Sequence, residues 1–205
     1  MNVKGSGFMK SLWATIFAGT LLVASAQAGA TVITATGDPL LSGATVIDFT
    51  EVALNTLDPT IGGASFSGES AATLVQNNGA VSTSPFLGNE TDGSFGGNVD
   101  ITFATGVSAF GMALWAVNSD TTIQAFDSAA NLIGTATLLS SGPAVNGFLG
   151  LGDLGATIWS ARVVTTDYLG IDDFQFVTVP EPGTWALLCA GLLGLVLVRR
   201  RRGTA

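Results

Sequence analysis

The chain has 205 residues, with seven basic and fifteen acidic side chains, no histidine and one cysteine. All basic residues except Arg162 lie in the two terminal segments, so residues 29–179 contain fourteen acids and one arginine, a net charge of −13. This charge excludes nucleic acid as a partner and attracts cations. Because Cys189 lies in a C-terminal apolar run, the central region forms no disulfide, and it offers neither histidine nor thiolate to zinc or copper.

The same composition removes most catalytic machinery. Without histidine, neither a Ser-His-Asp nor a Cys-His nucleophile system can be assembled, and residues 29–179 contain no lysine for a Schiff base. A carboxylate pair of the glycosidase kind is chemically available, but no catalytic motif frames one. We therefore predict that the protein is not an enzyme.

Residues 1–28 have the layout of a secretory signal peptide. Lys4 and Lys10 form a positive region, Leu12–Val23 is an apolar run that predicts a short helix, and Ala26 and Ala28 form an A-x-A-type cleavage site. A first transmembrane helix is the alternative, but the run is short and no charged stop follows it. The sequence predicts export through the Sec translocon and cleavage after Ala28.

Residues 29–178 are predicted to form one all-β domain. Short alternating or β-branched segments recur between clusters of Gly, Asn, Asp and Ser, which is typical of an antiparallel sandwich or barrel. None of the segments has the sustained helical period and caps of a long helix. The predicted strands are Thr45–Thr50, Ala72–Gln76, Val99–Ala104, Ser108–Val117, Thr121–Phe126, Leu132–Leu138, Thr157–Val164 and Ile171–Thr178.

Three connecting segments can be interpreted from their composition. Asp127–Asn131 predicts a hairpin turn, because Asp and Asn bond their own backbone and tolerate left-handed conformations. The stretch Asn77–Asn98, rich in Gly, Asn, Ser and Thr, predicts a long loop or a weak edge. The glycine spacing of Gly147–Gly152 invites comparison with a phosphate-binding loop, but no lysine and no helix follow, so we interpret it as a turn and strand edge.

Four carboxylates form a candidate cation site. Asp48 and Glu51 flank the first clear strand, Asp172 and Asp173 open the last one, and such strands commonly lie side by side in a sandwich. Calcium takes six to eight oxygen ligands, which carboxylates and loop carbonyls supply. The alternative is that Asp172 bonds a turn and the other three are solvated. The sequence thus raises the hypothesis of a structural calcium.

The aromatic residues indicate core packing more than a ligand platform. Trp159 shares the more apolar face of its strand and Trp115 lies in an apolar run, so both are predicted to be core residues. Tyr168, in a loop, is predicted to be exposed. Arg162 is predicted to face solvent.

The C-terminus combines three elements in a fixed order. Val179, Pro180, Glu181 and Pro182 form a segment that cannot continue a helix. The apolar run Trp185–Val198 follows and predicts a transmembrane helix over 183–198, and Arg199, Arg200, Arg201 and Arg202 hold its far end on the cytoplasmic side. A run of fourteen residues spans about 21 Å of a hydrocarbon core of roughly 30 Å. This marginal length predicts a temporary membrane stop.

That order resembles the PEP-CTERM sorting signal recognised by exosortases, over residues 179–205. The strand succession from Val99 to Val177, with its GFLG and IDDF segments, resembles the jelly-roll ectodomain of many PEP-CTERM proteins. The first resemblance implies that an exosortase, a membrane cysteine protease, acts at the Pro-Glu-Pro segment in an exopolysaccharide-producing diderm bacterium. The second implies a two-sheet antiparallel sandwich related in shape to carbohydrate-binding modules.

These implications give one function hypothesis and one alternative. We expect a non-enzymatic protein that is exported, inserted in the membrane by its C-terminal helix, and then released to the cell surface or the exopolysaccharide matrix. The alternative is a carbohydrate-binding module that engages the exopolysaccharide directly.

Overall fold

The computed structural model describes residues 30–68, 74–76, 84–89, 97–117, 119–140 and 145–179. Antiparallel strands make up most of these ranges, together with a 3-10 turn at Pro39–Leu41. Within the same ranges, no helix has the length and apolar character needed to span a bilayer. The predicted signal peptide (1–28) and C-terminal helix (183–198) lie outside the described residues.

Twelve strands of these ranges are hydrogen-bonded into one antiparallel network. They are β1 (Thr31–Ile33), β2 (Thr45–Ile47), β3 (Thr60–Ile61), β4 (Ala64–Gly68), β5 (Leu74–Gln76), β6 (Phe86–Gly88), β7 (Val99–Val117), β8 (Thr121–Phe126), β9 (Leu132–Leu138), β10 (Val145–Gly152), β11 (Ile158–Val164) and β12 (Gly170–Thr178).

The β8–β9 hairpin confirms the prediction most closely, since both strands have the predicted bounds. In the turn, the Asp127 carboxylate accepts hydrogen bonds from the backbone N–H groups of Ala129 and Asn131, each at 2.9 Å. Ala130 takes a left-handed φ of 60°. The Asn131 side-chain amide also donates to this carboxylate, at 2.9 Å, and its bond makes the largest contribution to lowering the pKa of Asp127.

Three predictions about the strands need correction. The segments Val99–Ala104 and Ser108–Val117 belong to one continuous strand, β7. Gly147–Gly152 is no turn, because it lies within β10 and pairs with β7 along its length. Within the predicted loop Asn77–Asn98, β6 is buried between β5 and β12. Residues 77–83 and 90–96 of that loop lie outside the described ranges.

β7 organises the network, because its two parts pair with different strands. Up to Phe103 it pairs with β4 and β11, and from Val107 it pairs mainly with β10 and β12. We call β3, β4, β8, β9 and β11 with the start of β7 the first limb. The second limb contains β1, β2, β5, β6, β10 and β12 with the end of β7. The change of limb occupies Ala104–Gly106, where the register between β7 and β11 shifts.

Phenylalanine rings from both limbs meet in the core and make the fold sandwich-like. Phe66 of the first limb packs edge-on against Phe174 of the second, with ring centroids 5.3 Å apart. Phe103 stacks on Phe174 at 6.1 Å and contacts Phe176 at 5.5 Å. Burying a phenylalanine side chain stabilises a fold by about 1.5–3 kcal/mol, and favourable ring pairs add roughly 0.5–1.5 kcal/mol.

Glycines leave no room for side chains where β10 pairs with the middle of β7. Gly150 is paired with Gly111, and the Phe148 ring covers Gly111. A β-carbon at Gly150 would lie 2.8 Å from the Gly111 Cα and would also overlap the Phe110 carbonyl oxygen. The glycines of this segment therefore serve strand packing, which is why their spacing imitates a ligand loop without being one.

We expect Gly150→Ala to lower the free energy of unfolding by about 1–3 kcal/mol, because the added methyl group overlaps the backbone of β7. The matched control is Gly37→Ala, where a β-carbon meets nothing within 4 Å. This control is expected to be neutral or to stabilise by up to about 1 kcal/mol. Urea denaturation of the full chain in detergent measures both, and equal effects would contradict the packing account.

Candidate functional site

A gap in the ladder of β12 creates the acidic site. One side of β12 pairs with β7, while its other side pairs with β6 at Gly170–Ile171 and with β2 at Phe174–Phe176. Asp172 and Asp173 lie between these two partners. The pairing of β2 with β12 confirms that the first clear strand and the last strand lie side by side.

Asp172 is a buried carboxylate in a β-bulge. Only 5% of its surface is exposed. One oxygen accepts a hydrogen bond from the Asp173 N–H at 2.8 Å, and the other accepts one from the Ser84 hydroxyl at 3.0 Å. The register with β7 shifts here, and Asp173 takes a left-handed φ of 45°. Burial raises the pKa of Asp172, and the nearby charges of Asp173 and Asp48 add to this against the opposing hydrogen bonds.

Asp48 organises the turn after β2. Its carboxylate accepts hydrogen bonds from the Thr50 backbone N–H at 3.1 Å and from the Thr50 hydroxyl at 2.8 Å. Between them, Phe49 has a left-handed φ of 58° and is fully buried, with its ring 5.4 Å from Phe66. The Thr50 bonds lower the pKa of Asp48. Asp48 therefore stays ionised, and its hydrogen bonds stabilise the turn in which the strained Phe49 places its ring in the core.

Glu51 lies beside Asp48 at a shallow cleft of about 330 Å³, which Ile61 and Gly62 also line. Within the described residues, no group of three or more His, Cys, Asp or Glu is arranged to hold a metal ion. The predicted carboxylates thus share a neighbourhood, in which Asp48 and Asp172 are engaged by protein donors. Calcium binding by Asp48, Glu51, Asp172 and Asp173 stays a prediction.

The predicted burial of Trp159 is wrong, and the predicted exposure of Tyr168 holds only in part. Trp159 is 40% exposed, because the register shift between Ile158 and Ser160 turns it away from the core face that Ala161 and Val163 occupy. Tyr168 is only partly exposed, and its hydroxyl oxygen is buried.

Trp115 is partly buried, so its predicted core position holds only in part. Its indole nitrogen is buried without a hydrogen-bond partner among the described residues.

Arg162 forms a feature that sequence reasoning missed. Its guanidinium donates two hydrogen bonds to Asp100 across the β7–β11 pair, at 2.6 and 3.0 Å, and both side chains are about one-third exposed. A shallow cleft of about 210 Å³ adjoins the pair and is lined also by Phe126, Ala130 and Ser160. The register of β7 with β11 is the signal that identifies this pair, and it cannot be read from the local sequence.

The sorting and cleavage residues are mostly outside the described ranges. Val179 is described, and its N–H donates to the Gly106 carbonyl at 2.9 Å. The predicted functional residues beyond these ranges are Ala26, Ala28, Pro180, Glu181, Pro182, Arg199, Arg200, Arg201 and Arg202.

We expect Asp172→Asn to stabilise the chain at neutral pH, by an amount that shrinks on acidification. A raised folded-state pKa means that the folded state binds the proton more tightly. Ionised Asp172 therefore costs stability above that pKa, and this cost disappears below the unfolded-state pKa. The asparagine keeps both contacts, because its oxygen can accept from Asp173 and its amide can donate to Ser84.

Urea denaturation at several pH values between 4 and 7 measures this difference. The matched control is Asp153→Asn, which removes an exposed carboxylate at another left-handed position (φ 52°). A constant difference between Asp172→Asn and the parent chain across the pH range would contradict a raised pKa.

A calcium site would produce an ion-selective gain in stability. A ligand at 100 times its dissociation constant stabilises by about 2.7 kcal/mol, whereas screening of the net charge of −13 is the same for any divalent cation. Thermal melts in calcium and in magnesium at matched ionic strength distinguish specific calcium binding from general charge screening. The calcium hypothesis predicts a larger shift with calcium that Asp172→Asn abolishes, and equal shifts would reject it.

Comparison with known proteins supports the predicted sorting signal at the C-terminus. A protein-family model of the PEP-CTERM protein-sorting motif matches residues 178–202. No curated protein matches the sequence.

Similar solved structures include three carbohydrate-binding modules. A family 6 module has 15% identity and a TM-score of 0.34, with 66% of this chain and 94% of that chain covered. A mutant of the family 29 module CBM29-2 has 16% identity and a TM-score of 0.33, covering 75% and 98%. A family 22 module of Clostridium thermocellum has 14% identity and a TM-score of 0.33, covering 61% and 94%. The chain is an all-β, sandwich-like domain followed by a PEP-CTERM sorting motif, which indicates a secreted protein sorted to the cell surface.

Proposed function

We propose that this protein is a non-enzymatic component of the cell surface or the exopolysaccharide matrix, exported through the Sec translocon and processed by an exosortase. The observation that supports this best is the sorting motif at residues 178–202, which begins at the last residue of β12. The folded domain and the sorting segment therefore adjoin directly. In this proposal, the helix over 183–198 holds the chain in the membrane until the protease acts at Pro180–Pro182.

The burial of Asp172 and the hydrogen bonds of Asp172 and Asp48 support a non-enzymatic role. A glycosidase needs a protonated acid and a second carboxylate about 5–9.5 Å apart, both open to substrate. Burial raises the pKa of Asp172, but this residue is only 5% exposed and both of its oxygens accept protein hydrogen bonds. Asp48, whose charge acts on it, is engaged in its own turn. These contacts stabilise the fold and leave Asp172 little access to a sugar.

Direct binding of exopolysaccharide is the second candidate function. The cleft beside the Arg162–Asp100 pair supports it, because a planar charged fork beside Phe126 and the Ser160 hydroxyl offers both polar and apolar contacts to a sugar. Binding of the purified surface form to the producer's exopolysaccharide, lost in Arg162→Ala and kept in Asp153→Asn, would favour this candidate. A matrix component without a ligand site should show no such dependence.

Processing at the Pro-Glu-Pro segment gives the decisive test of sorting. We expect mass spectrometry of the surface form to find a C-terminus near Pro182, without the peptides that contain Arg199–Arg202. Replacing Pro180 and Pro182 with alanine should leave the intact chain in the membrane fraction, because the extended segment that the protease reads is lost.

The matched control is Thr178→Ser, an exposed position at the first residue of the matched motif and outside the Pro-Glu-Pro segment, which should be processed normally. Recovery of the intact C-terminus as the main surface species of the parent chain would contradict the proposal.

A further inference from the structure

Both described ends of the chain leave the domain at the same end. Thr31, at the start of β1, pairs with Gly152, which pairs with Ala109, which pairs with Val177 near the end of β12. These four residues form one row across four neighbouring strands of the second limb. Three inter-strand spacings of about 4.8 Å place the two exits about 14 Å apart.

The place where β7 changes limb lies at this end too. The Gly106 carbonyl accepts the hydrogen bond from Val179, and the neighbouring Val107 pairs with both Thr178 and Ile158. We call this region, defined by Thr31, Gly106, Trp159 and Val179, the exit end.

Trp159 lies exposed at the exit end, against the residue that anchors Val179. A β-carbon added to Gly106 would lie 3.4 Å from the Trp159 ring, so the ring packs directly on that glycine. Leu132 is 42% exposed and is paired with Phe126, which is paired with Ser160 beside Trp159. Tryptophan and leucine side chains held out from a rigid scaffold suit a membrane–water interface, where tryptophan is enriched.

The connection to the predicted membrane helix is short. Five residues separate Val179 from Trp185, where the apolar run begins, so the six residue steps between them reach at most about 20 Å. A domain of this size has a radius of gyration of about 15 Å, so its diameter exceeds the tether. While residues 185–198 are inserted, the exit end is therefore held at the bilayer and the opposite end is held away from it.

We propose that the exit end is a membrane-docking surface that rests on the lipid headgroup region before the chain is cleaved, with Trp159 entering the interface. The proposal rests on the proposed function, since it requires the C-terminal segment to be inserted. It commits to zwitterionic headgroups, because the net charge of −13 opposes anionic lipid. Asp127 and Asp153 contribute to this charge near the exit end, since they follow Phe126 and Gly152, which pair with Ser160 and Ala109. Docking adds a second contact between the domain and the membrane beside the sorting segment itself.

Site-directed fluorescence tests the orientation in the full chain. In a Cys189→Ser background, a nitrobenzoxadiazole label is attached through Ala156→Cys, exposed in the loop between β10 and β11 at the exit end, or through Thr166→Cys, exposed in the loop between β11 and β12 at the opposite end. The chain is reconstituted into phosphatidylcholine vesicles that contain a headgroup spin label. We expect several-fold stronger quenching of the label at 156 than at 166.

The role of Trp159 has its own variant. Trp159→Ser should reduce quenching at position 156, whereas Leu57→Ser, which alters another exposed hydrophobic side chain away from the exit end, should leave it unchanged. Thermal melts of the variants verify that the domain remains folded.

Vesicle flotation separates failure of this proposal from failure of the proposed function. A chain that does not float with the vesicles would overturn both. A chain that floats but shows equal quenching at the two positions would overturn the docking surface and leave the sorting proposal standing. Quenching at 156 that requires a co-reconstituted exosortase would assign the exit end to that enzyme and overturn lipid docking.

Discussion

The contact of phenylalanine rings between the two limbs is the interaction on which the rest of the structure depends. With one cysteine in the chain and that one outside the domain, no disulfide supports the fold, so apolar burial must do so. The rings explain the unusual backbone of the acidic site. Phe49 is left-handed at the end of β2 and reaches Phe66, and the bulge at Asp173 is followed by Phe174, whose ring lies in the core. Asp48 accordingly stabilises the turn that places the Phe49 ring in the core. Asp172 accepts a hydrogen bond from the Asp173 N–H, in the bulge that precedes Phe174.

Features determined by neighbouring residues could be predicted from the sequence. The β8–β9 hairpin is an example, because its alternation and its Asp-to-Asn turn are local. The exposure of Trp159 could not be predicted. Period-two reasoning assumes an unbroken register, and the shift between Ile158 and Ser160 reverses the faces of the strand. The strand β10 was missed for a related reason, since its glycines serve close packing on β7 where the sequence indicates turns.

The candidate site likewise has features that the sequence could predict and features that it could not. The sequence identifies Asp48 and Asp172 as neighbours through the pairing of the first clear and last strands. The sequence does not identify the hydrogen-bond donors of both carboxylates. Thr50 is only two residues from Asp48, whereas Ser84 is 88 residues from Asp172. The sequence pattern of Asp followed two residues later by Thr could have indicated the Asp48 turn. Nothing local indicates Ser84, since that contact depends on how β6 aligns with β12.

The junction of β12 with the sorting segment also has a mechanical consequence. A force that pulls on residues beyond Val179 acts along the axis of β12, which is hydrogen-bonded to β7 over most of its length and to β2 and β6 on its other side. Because ladder hydrogen bonds run perpendicular to the strands, such a pull loads them in shear, and many must break together. A protein complex that pulls the chain by its C-terminus would therefore meet the greatest mechanical resistance at β12, which is the first strand that it reaches.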